Sequence, residues 1–347
     1  MKRLFLNLVV VAVATLSIVG CDAFHSASSS DNSTGSPYEV VVVCDQQPWL
    51  SELGDTLQAV LQQPVRELPT YQAMFDVMRV LPNNFKSLTR HHRNIIVVHV
   101  SPEFKEPKIE AQYDATAKPQ IFISVQGPDN QTLAKYVSDN RDNLLYVLEK
   151  AERDRRIDYS RKYYSHPLYD MVKQEFGIDM YIPDNFKMRT QSENMIWFSH
   201  ELPVASQGFF IYKYPYTGPE SLTVEALIEA RNKFASRIPG PADGSYMTTV
   251  TKLPSPEVEG EYIPFLPEYR PIRIGERPWI EMSGFWDVVN YVMGGPYVSY
   301  TTVNQATQEV VTLDCYVYAP KDKKRNLLRD LQHMVYVIDF PQDKESK

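Results

Sequence analysis

Cys21 is the residue whose position predicts a definite chemical modification. A basic start at Lys2 and Arg3 precedes an apolar run over residues 4–19, which is too short to serve as an ordinary membrane-spanning helix. A charged start, a short apolar core and a small residue before the cleavage point are typical of a secretory signal peptide. The sequence therefore predicts a lipoprotein signal peptide over residues 1–20. The mature chain would begin at Cys21, with diacylglycerol and palmitate attached.

Four acidic side chains are the candidates for acid–base chemistry: Glu257, Glu259, Glu261 and Glu281. Two carboxyl groups that face each other can act as the acid and base of a glycosidase, although the same pattern is typical of solvated loop charges. The chain has no Gly-x-Ser-x-Gly, Gly-rich phosphate loop or Cys-x-x-Cys motif, so the motifs of the commonest hydrolases, nucleotide-binding proteins and thiol oxidoreductases are missing. We predict no catalytic residue. A carboxylate-dependent hydrolase of glycan or peptidoglycan is the alternative.

The histidines do not follow a metal-binding pattern. His91 and His92, as neighbours on a strand or turn, would point in different directions, and Arg90 and Arg93 beside them would repel a cation. No His-Glu-x-x-His motif occurs. The sequence therefore predicts neither a metal ion nor another cofactor.

An aromatic row is the first candidate binding surface. In the predicted strand over residues 209–216, alternation places Tyr212, Tyr214 and Tyr216 on one face. Such a row of rings can stack on a sugar or on a partner protein. The predicted helix over residues 222–238 follows at once and has its own apolar stripe to bury, so packing of this row into the core is the other interpretation.

Two further groups are candidate binding residues. Lys323, Lys324 and Arg325 stand at the start of the last predicted helix, where free amide groups and side-chain cations can hold an anion together; solvated charges are the other interpretation. Trp279, Trp286 and Tyr297 would form a groove if they met the glycine-containing turns at residues 240–244 and 294–295.

Alternating strand-like and helix-like patterns predict an α+β fold. Strands are predicted at residues 38–44, 95–100, 121–125, 279–282, 297–303 and 310–318, and helices at 131–156 and 222–238. We expect antiparallel sheets with helices packed on one face. Cys44 and Cys315 lie in such strands and fit small core residues, while a disulfide between them is left open.

Two segments repeat at a spacing of about 100 residues. Residues 82–86 (PNNFK) resemble residues 183–187 (PDNFK), and residues 94–98 resemble residues 194–198. The repeat predicts an internal duplication, with chance similarity of turn sequences as the alternative. We predict a first α+β module over residues 38–165 and a second over 166–347. The second contains a proline-rich insertion at residues 252–279, predicted as an extended surface loop.

The N-terminal segment and the net charge predict how the folded body is attached and which partners it disfavours. Residues 21–37 are rich in Ser, Asn and Gly, a composition typical of a flexible tether. The net charge of −7 becomes −9 once Lys2 and Arg3 leave with the signal peptide, and an acidic surface disfavours nucleic acid as a partner. The membrane would therefore be contacted through the N-terminal lipid.

Three segments resemble a known family. Residues 238–241 with 244–247, residues 293–299, and residues 318–320 before Lys323 are similar to the Bacteroidetes lipoprotein family known as domain of unknown function 4837. The resemblance covers nearly all of the mature chain and implies an envelope lipoprotein without an assigned activity. We therefore expect a lipid-anchored cell-envelope protein, at the outer membrane facing the periplasm, that binds or assembles with an envelope protein or a glycan.

Overall fold

The structure, a computed structural model, describes residues 32–341. These contain seven α-helices and 17 β-strands in mostly antiparallel sheets, which confirms the α+β class. The predicted signal peptide, Cys21 and most of the predicted tether lie outside the described residues. None of the helices within residues 32–341 is long and apolar enough to cross a membrane.

The first sheet has five strands in the order β2-β1-β3-β5-β4. The valine run of β1 pairs in parallel with both β2 and β3, β3 pairs in parallel with β5, and only β4 at the edge is antiparallel. The expectation of antiparallel pairing therefore does not describe this sheet. The strands are β1 (Glu39–Val43), β2 (Asp76–Val80), β3 (Asn94–Val100), β4 (Lys108–Tyr113) and β5 (Ile121–Gly127).

Helices cover one face of the first sheet, as predicted. Leu57, Leu133 and Leu148 pack against Val40 and Val42 in one buried cluster. The helix predicted over residues 131–156 is two helices, because the chain bends at residue 140 between them. The helices are α1 (Gln46–Trp49), α2 (Glu52–Leu61), α3 (Asn130–Asp139) and α4 (Arg141–Lys162).

The second sheet has eight strands. Seven follow the order β10-β14-β15-β16-β9-β8-β7, and the eighth, β13, pairs with β14 outside this order. All of its pairs are antiparallel. The strands of this part of the chain are β6 (Asp179–Met180), β7 (Lys187–Ser192), β8 (Met195–Glu201), β9 (Ser206–Pro215), β10 (Met247–Thr249), β11 (Lys252–Pro254), β12 (Tyr262–Pro264), β13 (Glu268–Ile274), β14 (Arg277–Val288), β15 (Tyr291–Asn304), β16 (Glu309–Tyr318) and β17 (Ile338–Asp339).

Helices pack on both faces of the second sheet, which differs from the prediction of one covered face. Val172 and Leu328 join the cluster that contains Phe209, whereas Phe234 joins the cluster that contains Phe210. Neighbouring residues of a strand point to opposite faces, so both faces of β9 are apolar and both are covered. The helices are α5 (His166–Phe176), α6 (Val224–Ala235) and α7 (Arg325–Gln332).

The internal duplication is not confirmed. In the first predicted copy, β3 lies between two parallel neighbours, whereas in the second copy β8 lies between two antiparallel ones. Similar hydrophobic patterns are compatible with either pairing, because pairing direction is set by the connections between strands.

The proline-rich segment is not an extended loop. It contains the β11–β12 hairpin and then β13, which pairs with β14 along seven residues. Pro271 lies within β13 opposite Ile280. A proline is tolerated there because β13 is an edge strand with no ladder partner on its outer side.

Cys44 and Cys315 are both free and buried, so they do not form a disulfide with each other. Cys44 packs beneath the helices of the first sheet and Cys315 lies in a separate cluster of the second sheet. Burial raises the pKa of Cys44 to about 11. Both thiols are therefore small core side chains.

Polar contacts join the parts of the chain that contain the two sheets. Arg66, between α2 and β2, lies 3.1 Å from Glu281 of β14. The Tyr38 hydroxyl lies 3.2 Å from Nε2 of His333, which follows α7, and both residues are buried. The part of the chain before β6 therefore packs directly against the part after it.

Candidate functional site

A cavity of about 480 Å³ opens at one end of the second sheet. Its walls come from the ends of β8, β14 and β16, the starts of β9 and β15, the turn between β8 and β9, and the segment after α6. We call it the aromatic pocket. Its lining residues are Trp197, Glu201, Leu202, Pro203, Val204, Ala205, Ser206, Ile238, Pro239, Gly240, Pro241, Met247, Trp286, Val288, Met293, Tyr316 and Tyr318.

The aromatic pocket exists because α6 is shorter than the strands beneath it. The helix has 12 residues and spans about 18 Å, whereas the 12 residues of β14 span about 40 Å. Phe234 of α6 stacks on Tyr212 with ring centroids 4.5 Å apart. Beyond the helix, the sheet face carries the aromatic lining of the pocket, in which Trp197 and Tyr318 are half-buried and Trp286 and Tyr316 are buried.

The indole N–H groups of the pocket walls already have protein partners. Trp197 donates its indole N–H to the Tyr316 hydroxyl at 2.8 Å, and Trp286 donates to the Val317 carbonyl at 3.3 Å. Burial raises the pKa of Tyr316, so its hydroxyl stays protonated. The walls therefore present ring faces and side-chain carbons to whatever enters.

Glu201 is the one charged residue in the lining. Its Oε1 accepts hydrogen bonds from Ser199 at 2.7 Å and Ser206 at 3.1 Å, and lies 3.7 Å from the guanidinium of Arg189. These contacts hold the carboxylate at the strand ends. The pocket is thus an apolar cavity with one polar corner.

A second cavity of about 390 Å³ adjoins the first. Leu202, Val204 and Ala205, in the turn between β8 and β9, line both. We call it the charged cavity, because its other lining residues are mainly ionisable. They are Asp76, Asp322, Lys323, Arg325, Asn326 and Leu327.

Gly240 and Gly295 allow close packing around the pocket. A Cβ at Gly240 would lie 2.6 Å from Val288, and one at Gly295 would lie 2.1 Å from the Val317 carbonyl oxygen. Gly295 is inside β15 and not in a turn. The sequence prediction of a turn at residues 294–295 is therefore wrong, and Gly244, with φ +70°, is the residue that needs a turn conformation.

Replacing Gly295 by alanine will destabilise the protein. The new methyl group would meet a backbone oxygen that cannot move without disturbing β16, and overpacking of this kind costs about 1–3 kcal/mol. Urea denaturation measures the loss in the free energy of unfolding. Gly127→Ala is the control for a glycine substitution on a strand without a backbone clash, because the nearest atom to the new methyl group would be a Leu133 side-chain carbon at 3.2 Å. Equal losses in both variants would contradict the account.

The tyrosine row lies under helical structure. Tyr212 is buried beneath Phe234, and Tyr214 is half-buried with its hydroxyl donating to the Ser221 carbonyl at 3.3 Å. Tyr216 is half-buried just beyond the end of β9. The row therefore packs against the segment 219–235 and presents no open shelf.

The three predicted groove residues do not come together. Trp279 points to the opposite face of the sheet, with its ring 6.2 Å from that of Phe340. Tyr297 shares a face with Trp286, but it is buried under Arg231, whose guanidinium carbon lies 3.7 Å from the ring centroid. Only Trp286 lines the pocket. Trp286 follows Trp279 by seven positions, and side chains an odd number of positions apart on a strand point to opposite faces.

The cations at the last helix have separate roles. Gln72 accepts hydrogen bonds from the backbone N–H groups of Lys324 and Arg325, both at 2.9 Å. Arg325 is buried and lies 2.7 Å from Asp76. The predicted anion site at free amide groups is therefore not formed by these two amides. Lys323 and Arg325 both line the charged cavity, and Lys323 is the exposed one of the two.

The acidic candidates do not face each other. Glu281 is buried against Arg66 at 3.1 Å and against Arg270. The other three are exposed in the turn of the β11–β12 hairpin: Glu257, Glu259 and Glu261. Within residues 32–341, no group of three or more His, Cys, Asp or Glu side chains comes together to hold a metal ion.

A buried ion pair is the feature that sequence analysis missed. Arg231 of α6 and Asp314 of β16 are both fully buried, with Nε–Oδ2 and Nη2–Oδ1 distances of 2.8 and 3.1 Å. Thr249 accepts a third hydrogen bond from Arg231 at 2.9 Å. The signal was present: with Leu227 and Phe234, Arg231 occupies one stripe of α6, at a spacing that buries all three.

Comparisons with solved structures give distant similarities. One is to the Saccharomyces cerevisiae Ran-binding protein Mog1p, at 10% identity and a TM-score of 0.27, over 48% of this chain and 92% of that chain. Another is to LpqN, involved in cell envelope biogenesis of Mycobacterium tuberculosis, at 12% identity and a TM-score of 0.27, over 46% and 81%. Scores this low support neither a shared fold nor a shared function. No curated protein matches the sequence.

Two family models match the sequence itself. Residues 33–160 match a model described as Domain of unknown function (DUF8532). The resemblance to domain of unknown function 4837 is confirmed over residues 165–337, which is less than nearly all of the mature chain. That range includes every segment on which the resemblance was based. Residues 165–337 belong to the family described as Domain of unknown function (DUF4837).

Proposed function

We propose that this protein is a lipid-anchored protein of the cell envelope that binds a ligand without transforming it, and that the aromatic pocket holds an apolar group of that ligand. The aromatic pocket is the observation that supports the proposal. Its volume lies within the range of small-molecule sites. Its indole N–H groups are satisfied internally, so an apolar group can replace water there without breaking hydrogen bonds.

The anchor is proposed from the sequence. Acylation at Cys21 and a tether of about 16 residues would keep the folded body near a membrane surface, at a root-mean-square distance of roughly 20–25 Å, and we propose that this surface is the outer membrane on its periplasmic side. Metabolic labelling with palmitate tests the anchor. The wild type should be labelled and the variant Cys21→Ser should not, and equal labelling of both would refute acylation at this residue.

Binding at the aromatic pocket can be measured with a neutral apolar dye. We expect N-phenylnaphthylamine to bind saturably, and Met293→Asp to weaken the affinity at least about tenfold, because a carboxylate in an apolar wall loses hydration. Val292→Asp is the matched control, since Val292 is the neighbouring residue, 98% exposed and outside the lining. Thermal unfolding checks that both variants fold. Equal affinities for the two folded variants would contradict the proposed pocket.

A further inference from the structure

The two cavities adjoin at one turn. Leu202, Val204 and Ala205 line both, and Val204 is 60% exposed. A linear molecule whose apolar part lies in the aromatic pocket can therefore continue over Val204 into the charged cavity. The two cavities offer different chemistry, so the two ends of such a molecule would differ in polarity.

The charged cavity has one strongly held ion pair and one loosely held cation. Arg325 is buried and lies 2.7 Å from Asp76, and its guanidinium keeps the pKa of that carboxyl below its usual range. This pair is neutral as a unit. Lys323 lies 3.7 Å from the other oxygen of Asp76, and its side chain is 78% exposed. An exposed contact of this length contributes little, so the ammonium group of Lys323 is available to a ligand.

The surroundings of Lys323 carry an excess of positive charge. Residues 321–325 have the sequence KDKKR, in which Asp322 is the single acidic residue. Lys321 is exposed, and Lys324 has its ammonium 3.4 Å from the Asp322 carbonyl oxygen. Within the lining the Arg325–Asp76 pair is neutral and Lys323 is matched by Asp322, so the excess positive charge comes from Lys321 and Lys324, which adjoin the lining residues in the sequence. The local charge therefore favours an anion, despite the acidic charge of the whole chain.

We infer that the ligand is an anionic amphiphile, whose apolar chain occupies the aromatic pocket and whose phosphate or carboxylate group contacts Lys323 in the charged cavity. The inference rests on the proposed function, because it names the class of ligand for the same pocket. A membrane-derived lipid and a free fatty acid or alkyl phosphate share this chemistry. Inorganic phosphate offers the anionic group without an apolar chain.

Competition against the neutral dye tests the inference on the folded wild-type protein. Three probes are compared below the concentration at which micelles form: decyl phosphate, decanol and inorganic phosphate. We expect decyl phosphate to displace the dye about tenfold more effectively than decanol, the effect of one charge-assisted contact. Inorganic phosphate alone should not displace it, because it gains nothing from the aromatic pocket.

Two charge-reversal variants locate the anionic group. Lys323→Glu should lower the affinity for decyl phosphate about tenfold and leave the affinity for decanol unchanged. Lys321→Glu is the matched control, because it makes the same charge change outside the cavity lining. An equal loss in both variants would mean that only the general surface charge matters, and would overturn the inference.

The remaining outcomes separate the inference from the proposed function. Equal affinity for decyl phosphate and decanol would overturn the anionic part and leave the apolar pocket standing. Displacement by inorganic phosphate would show that the anion site acts without an attached chain, and would also overturn the inference. Failure of the dye itself to bind would overturn the proposed function, and the inference with it.

Discussion

Replacing Arg231 by methionine will lower the free energy of unfolding by about 3–5 kcal/mol. The substitution removes the partner of Asp314, which is fully buried and receives two hydrogen bonds from the guanidinium group. Arg231 also lies over the ring of Tyr297 and bonds to Thr249, so several favourable contacts are lost together. Urea denaturation at neutral pH measures the effect.

Two controls show whether the pair or the helix is responsible. Lys233→Met, at an exposed position of the same helix, should change the free energy of unfolding by no more than about 0.5 kcal/mol. The double variant Arg231→Met, Asp314→Leu should recover most of the loss, since an apolar pair can replace a buried ion pair at little cost. A single Arg231→Met variant as stable as the wild type would refute the role of the pair.

Acidification from pH 7 to pH 5 will remove the stabilisation that neutral His333 contributes. Burial, together with the positive charges of Arg329, Arg153 and Arg156, lowers the pKa of His333 well below its ordinary value. In the unfolded chain His333 therefore binds a proton as the pH falls below about 6.5, whereas in the folded protein it stays neutral until a much lower pH. The contribution of His333 to the free energy of unfolding is fully present above that pH and decreases as the pH falls. At pH 5 the decrease is about 2 kcal/mol.

A variant that lacks only His333 isolates this effect. His333→Gln can still contact the Tyr38 hydroxyl, which lies 3.2 Å from Nε2 in the wild type, but it does not titrate. We expect its free energy of unfolding to change less between pH 7 and pH 5 than that of the wild type, by about 2 kcal/mol. The exposed variant His166→Gln should keep the wild-type pH dependence. The same pH dependence in His333→Gln would rule out His333 as its source.

The strands were largely predictable because burial leaves a local pattern. The apolar runs at residues 38–44 and 310–318 became β1 and β16, nearly to the residue. The direction of pairing was not predictable, since β1 has the same composition whether its neighbours are parallel or antiparallel. The proline-rich segment was misjudged because prolines also fit an edge strand such as β13.

The candidate site was only partly predictable because it depends on register between distant strands. Trp286 was identified from its residue type and lines the aromatic pocket, but Trp197 and Tyr316 were not. They meet because β9 lies between β8 and β16 in one register, which no local pattern encodes. Lys323 was identified as a cation, while its neighbour Arg325 is an internal link to Asp76. Residue type alone does not separate these two roles.

Photocrosslinking from position 204 in intact cells tests whether the aromatic pocket holds a ligand in the envelope. A photoreactive benzoylphenylalanine replaces Val204, which lines both cavities, and in a control protein it replaces Val258, which is exposed and lines neither. The account predicts a discrete adduct at position 204 that disappears with Met293→Asp, and no such adduct at position 258. No adduct at position 204, or the same adduct at both positions, would contradict it.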